Sequence, residues 1–298
     1  MPKTKVTDNI EFAYHDSGLP SSKDDDYYTF VLIHGHTHHS GSFSPMLEQA
    51  SSLGYRMILP NRRLYPGSTP YTKEEVQAFE PSNSTEEITK AFLKQGEYLL
   101  LFVNNMIKEH SLKKVVVGGW SLGTSFISSM IYAITTVPEE VKARLVQTIK
   151  AIVLWEQRGQ ALADWIVQYY PHPNIEKKDC YTLIYKQYPL AEMLSKVDLT
   201  AGPNGDNHVA DKHFQPVHGN IRKLGLFNPS IREAWASTSF NIIYGEESVY
   251  SVVWAAWQLE AEAEKTGLPL TVKGMPSANH FAMHDLPELC FQTLHACL

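Results

Sequence analysis

The segment Val115-Val116-Val117-Gly118-Gly119-Trp120-Ser121-Leu122-Gly123-Thr124-Ser125 constrains this chain more than any other. A β-branched run, which favours an extended strand, meets Gly-x-Ser-x-Gly and then an apolar stretch of helical spacing, Phe126 to Ala133. A serine held on so tight a strand-to-helix turn has a strained backbone, and side chains at the two flanking positions would collide with adjacent structure. Gly119 and Gly123 meet that demand. At the start of a helix, Ser121 also has the amide of Leu122 directed at the place where negative charge would develop on an attacked carbonyl, with the positive end of the helix dipole behind it. The arrangement therefore points to nucleophilic chemistry at Ser121.

The rest of the chain alternates in the same way. Strands are expected at Ile10 to His15, Thr29 to Ile33, Arg56 to Leu59, Lys114 to Val117, Ala151 to Trp155, Asn241 to Tyr244 and Leu270 to Lys273. Helical segments lie between most of them, including Thr85 to His110, where Ser84 and Glu87 form a capping-box pattern. This alternation predicts an α/β architecture, a mostly parallel central sheet with helices on both faces. About 80 residues separate the strand ending at Trp155 from the one near Phe240, far more than a loop needs. The expected division is therefore a core of residues 1–155 and 237–298 with a largely helical cap (lid) insertion at 156–236. Helices are expected within it at Ala161 to Tyr170 and Leu190 to Val197. Its rings, Trp165, Tyr169, Tyr170, Tyr181, Tyr185, Tyr188, Phe214 and Trp235, suit either a small core of its own or the wall of an apolar substrate pocket.

These motifs together resemble the α/β-hydrolase superfamily, in its serine-nucleophile branch with an inserted lid. Phe30-Val31-Leu32-Ile33-His34-Gly35-His36 is similar to that family's strand and His-Gly oxyanion loop. The resemblance implies that the amides of His36 and Leu122 form the oxyanion hole, with Gly35 and Trp120 beside it. Pro60-Asn61-Arg62-Arg63 through Ser68 resembles a family loop from which Asn61 and Arg63 depart. Asn279-His280-Phe281, followed by Pro287-Glu288, resembles the segment that carries the family's histidine, with Asn279 in place of the usual glycine. His280 follows Ser121 in the chain, as the order serine, acid, histidine requires. The acid is left open. At Tyr244-Gly245-Glu246-Glu247-Ser248 the usual Asp position falls on Ser248, so either Glu247 has shifted into the role or Glu156, directly after the strand ending at Trp155, supplies it.

The resemblance implies a serine hydrolase that cleaves an ester, lactone or thioester of a small apolar or aromatic substrate through an acyl-enzyme. The same residues could also serve carbon–carbon bond hydrolysis, acyl transfer or lyase chemistry, or persist in a slow or inactive binding protein. A serine at the elbow argues against the dehalogenase and epoxide hydrolase branches, which use an aspartate there. His34, His36, His38 and His39 invite a metal reading, but no carboxylate pattern completes a site, so neither a metal nor another cofactor is expected. The formal net charge of -6, without a basic segment, argues against nucleic acid as a partner. The N-terminal segment lacks the apolar stretch of a secretory signal, no run suits a membrane span, and Cys180, Cys290 and Cys297 lack disulfide or zinc spacing. The expected protein is cytoplasmic, a monomer or homodimer acting on a small molecule.

Overall fold

The computed structural model describes residues 1–21, 26–36, 38–156, 168–185 and 217–298. Eight strands form one sheet: β1 (Lys3–Thr7), β2 (Ile10–Asp16), β3 (Thr29–Ile33), β4 (Arg56–Pro60), β5 (Val115–Trp120), β6 (Ile149–Trp155), β7 (Ser239–Gly245) and β8 (Thr271–Met275). Their order is β1-β2-β4-β3-β5-β6-β7-β8. The first two strands are antiparallel to their neighbours, and every pair from β4 onward is parallel. The seven strands expected from sequence are present with ends shifted by up to three residues. The edge strand β1 was missed, because Lys-Thr-Lys-Val-Thr carries little apolar weight and depends on β2 for its pairing.

The helices are α1 (Ser44–Ala50), α2 (Lys73–Ala78), α3 (Thr85–His110), α4 (Gly123–Tyr132), α5 (Glu139–Thr148), α6 (His218–Leu224), α7 (Pro229–Ala234), α8 (Tyr250–Thr266), α9 (Ala282–Asp285) and α10 (Pro287–His295). α3 begins with the expected capping box: Ser84 accepts from the amide of Glu87, whose side chain accepts from the amide of Ser84. The central strands are buried on both faces, and alternate residues feed two separate cores. Val31, Val117, Ile152 and Leu154 face the core beneath α3, α4 and α8, whereas Phe30, Leu32, Val116 and Val153 face the one that includes α1 and α10.

Of the aromatic residues expected in the insertion, Trp165, Tyr188 and Phe214 lie outside the described residues, as do the expected helix Leu190 to Val197 and the first seven residues of Ala161 to Tyr170. The described rings do not form one wall. Tyr170 and Trp235 are buried, and the Trp235 indole donates to the Ile131 carbonyl of α4 at 3.1 Å. Tyr181 is 88% exposed. α6 also packs on α4, where Gly225, just past its end, lies so close to the Ser128 carbonyl that a Cβ would clash. Residues 217–236 thus share the principal core, because their apolar side chains are covered by α4.

Candidate functional site

Ser121 and Glu156 each follow directly after the end of a parallel strand, and each has positive φ, +56° and +53°. Both are L residues in the left-handed region, where a side chain costs energy and structure must hold the conformation. That hold is lateral: the Ser121 amide donates to Trp155 O at 2.8 Å, and the Glu156 amide donates to Ile243 O at 2.9 Å. Two neighbouring strand ends are therefore turned outward, each clamped to the strand beside it. At the first, a Cβ on Gly119 would strike the backbone of Gly123, and one on Gly123 would strike the carbonyl oxygen of Ile33. The two glycines of the motif are required by this close approach of backbones.

α4 begins at Gly123, two residues after Ser121 and three before the segment expected from sequence. The Leu122 amide donates to no other group among the described residues, as an oxyanion donor must. Gly35 lies against this elbow; a Cβ there would sit 2.9 Å from the Cβ of Ser121 and 3.0 Å from the Trp120 ring. Arg62 fixes the loop, donating to Gly35 O at 2.7 Å and to His34 O at 3.2 Å. His36 is half-buried on this loop.

His280 is 2% exposed, and its Nδ1 lies 3.0 Å from Oε2 of Glu156, which is fully buried. Oε2 also accepts from the Ser248 hydroxyl at 2.7 Å, and Oε1 accepts from the Gly245 amide. A buried carboxylate is costly unless its oxygens are paired, and here each has at least one donor. Of the two carboxylates left open by sequence, Glu156 is the one brought to His280. Glu247 follows Gly245 at the end of β7, where its amide donates to Ala278 O and its carbonyl accepts from Tyr170. Burial and then the neighbouring Glu246 push its carboxyl above the usual range. No hydrogen bond joins it to the imidazole, and the residue at the vacant Asp position, Ser248, serves Glu156 instead.

The Trp120 ring is 1% exposed and packs 5.0 Å from the His280 ring, while its indole donates to the His280 carbonyl at 2.9 Å. Strand alternation turns it into the core under the histidine loop. Asn279 is fully buried, and its Oδ1 accepts from the Phe281 amide at 2.9 Å.

Two contributors were not singled out in the sequence. Arg62 sits in a loop whose motif is imperfect, and its reach to Gly35 appears only in three dimensions. His172 accepts from the Ile184 amide through Nδ1 at 2.9 Å, so Nε2 carries the proton donated to Ser248 O at 2.8 Å. It thereby holds the turn that presents the Ser248 hydroxyl.

The histidine cluster is divided among separate tasks. His34 is fully buried; its Nε2 accepts from the Arg62 amide at 2.9 Å, so Nδ1 donates to Gly35 O at 3.0 Å. Burial, reinforced by the Arg62 charge, keeps it neutral by drawing its pKa well down. His39 accepts from the Gly41 amide at 2.9 Å. His38 lies 5.5 Å from the Phe281 ring, and burial, followed by repulsion from His280, His284, His39 and His36, pushes its pKa down to about 4. Among the described residues, no three His, Cys, Asp or Glu side chains are grouped to hold a metal ion.

A family model described as the alpha/beta hydrolase fold matches residues 28–180. Among solved structures, the haloalkane dehalogenase DpaA from Paraglaciecola agarilytica NO2 is similar with a TM-score of 0.56 at 16% identity, over 98% of this chain and 91% of that one. A bromoperoxidase from Bacillus anthracis gives 0.49 at 16% identity over 99% and 98% of the two chains. A putative aryl esterase from Burkholderia cenocepacia gives 0.49 at 16% identity over 99% and 96%. No curated protein matches in sequence.

Proposed function

The chain belongs to the α/β-hydrolase fold family, and from that premise we propose that it is a serine hydrolase acting through Ser121, His280 and Glu156. The observation that carries this reading is the 3.0 Å contact of His280 Nδ1 with the fully buried carboxylate of Glu156, in a loop tied by the Trp120 indole to the glycine-flanked elbow that holds Ser121 at φ +56°. With Nδ1–H donated to Glu156, the imidazole presents an unprotonated Nε2 as a base.

In this mechanism His280 removes the proton of Ser121 as its Oγ attacks the carbonyl carbon of an ester, lactone or thioester. The tetrahedral oxyanion is stabilised by the amides of Leu122 and His36, in the loop that Arg62 holds. Glu156 stabilises the imidazolium, which passes its proton to the departing alcohol or thiol. A water molecule, deprotonated by His280, then attacks the acyl-enzyme and releases the acid and free Ser121. Tyr170 and Trp235 are buried in the core and Tyr181 faces solvent, so none of these rings supports an aromatic acyl pocket. The proposed substrate class rests on the nucleophile alone.

A fluorophosphonate probe tests the proposal. Stoichiometric labelling at neutral pH, abolished in Ser121→Ala and strongly reduced in His280→Ala, is expected together with turnover of short-chain nitrophenyl esters. Wild-type protein that neither labels nor turns over such esters would overturn it.

A further inference from the structure

A cleft of about 900 Å³ runs between α6 and α8. Its lining includes Arg222, Lys223 and Phe227 from the α6 side and Ser251, Trp254 and Lys265 from α8. Among the described residues of the lining Glu262 is the one acid against Arg222, Lys223 and Lys265, so they carry an excess of two positive charges in a chain whose formal net charge is -6.

Three features set this cleft apart from an ordinary surface groove. Arg222 is half-buried, yet it has no carboxylate or carbonyl partner among the described residues; its partial burial draws its guanidinium below the usual range, and no neighbouring charge offsets the effect. The buried arginines among the described residues are anchored, as Arg62, Arg63 and Arg232 are. Ser251 is 8% exposed, and its Oγ is buried with no hydrogen-bond partner. It stands in the first turn of the 17-residue α8, where helix amides and the dipole favour an anion. Trp254, one turn further along, is 46% exposed and offers a flat apolar face in the same cleft.

We propose that this cleft is a binding site, separate from Ser121, for a small organic anion that carries a phosphate or carboxylate beside a flat ring. The planar guanidinium of Arg222 matches two oxygens of either anion in a bidentate pair, and a turn of the Ser251 side chain about χ1 toward the cleft that the residue lines gives its hydroxyl an anion oxygen as partner. The ring stacks on Trp254, with Phe227 completing the apolar side. Lys223 and Lys265 raise the local concentration of anions without fixing their geometry.

Titration of the purified protein at low salt tests the site, with tryptophan fluorescence and calorimetry as readouts. The probes are adenosine monophosphate and 2-naphthoate, which combine a ring with a phosphate or a carboxylate, and adenosine and inorganic phosphate, each of which lacks one half. At least one combined probe is expected to bind at least tenfold more tightly than either half, and its preference identifies the anion. Arg222→Gln should weaken that binding at least tenfold, Ser251→Ala several-fold, and Trp254→Phe should remove the fluorescence change. Ser121→Ala should leave binding unaltered, so the site stands or falls apart from the serine chemistry. No binding of either combined probe at millimolar concentration, or binding indifferent to Arg222→Gln, would overturn the assignment.

Discussion

The hydroxyl of Ser248 donates to Oε2 of Glu156 at 2.7 Å, on the oxygen that His280 Nδ1 approaches to 3.0 Å. Ser248 stands where relatives of this fold commonly carry an aspartate. Here the carboxylate that meets His280 comes from the neighbouring strand end, and the small side chain at that position supports it. Two strand ends can serve one imidazole because β6 and β7 run parallel in register, Trp155 opposite Ile243, which puts Glu156 level with Tyr244 and its side chain within reach of the Gly245 amide.

This geometry separates the acidic residues sharply. Glu156→Gln is expected to lower kcat by about 10³–10⁴, the scale on which loss of the triad carboxylate acts elsewhere, with KM little changed. Glu247→Gln should stay within about twofold of wild type, a margin set by the few-tenths kcal/mol typical of surface changes. The position of Ser248 allows a stronger test. In the double variant Glu156→Ala, Ser248→Asp, the carboxylate returns to within reach of His280 from β7, and about tenfold or more of the lost kcat should reappear, worth about 1.4 kcal/mol. Steady-state kinetics on one ester checks all three.

The location of the acid was not legible in the sequence, whereas the elbow was. Gly119-Trp120-Ser121-Leu122-Gly123 declares itself because every constraint on it is local: small residues, a strand before and a helix after. The pairing of Glu156 with His280 spans 124 positions and depends on which strands are neighbours, so a list of carboxylates near strand ends left two candidates. The packing of Trp120 under His280 was not legible for a related reason. The alternation of β5 decides which face its ring takes, and Gly118 and Gly119 hid the last turn of that strand. The rings of residues 156–236 were read as a group, yet Trp235 is buried by α4 while Tyr181 is in solvent, a difference set by tertiary neighbours.

Arg62 carries the loop opposite Ser121. Its guanidinium spans His34 O and Gly35 O from one rigid plane, a geometry that lysine cannot reproduce. Arg62→Lys should therefore leave at least one buried carbonyl without a partner, costing about 1–3 kcal/mol of stability. Because Gly35 sits against Ser121, kcat should fall by about tenfold or more, the cost of a displaced oxyanion donor. Denaturant midpoints and kcat measured on the same samples test the pair of effects; an unchanged kcat in a destabilised protein would show that the loop does not depend on Arg62.

Acid should weaken the fold in a defined window. His38 is held neutral, with its pKa down at about 4, while in the unfolded chain it titrates near 6.5. Below pH 6.5 the unfolded state therefore binds a proton that the folded state refuses, so the stability present at neutral pH falls until about pH 4. Between pH 7 and pH 5 the loss from this residue is about 2 kcal/mol. His34, depressed by burial and by Arg62, acts in the same direction. Urea titrations across pH 4 to 7.5 should show this slope, and His38→Gln should flatten it by about the amount assigned to His38.

His172 tests whether the acid's support extends beyond direct contact. Its two ring nitrogens are committed in opposite senses, one accepting from the Ile184 amide and the other donating to the Ser248 carbonyl. Phenylalanine keeps most of the ring's volume and leaves both of these buried groups unpaired, so His172→Phe should cost about 1–3 kcal/mol of stability. The Ser248 turn would then lose its anchor, and with it the alignment of the hydroxyl on Glu156. A misaligned hydrogen bond to a charged oxygen forfeits part of about 1.5–3 kcal/mol, which predicts a fall in kcat of about three- to tenfold at unchanged KM. If the role of His172 runs through Ser248, the variant should lose far less activity in a Ser248→Ala background, where the hydroxyl is already gone. A double-mutant cycle in kcat measures that coupling, and full additivity would confine His172 to holding the fold.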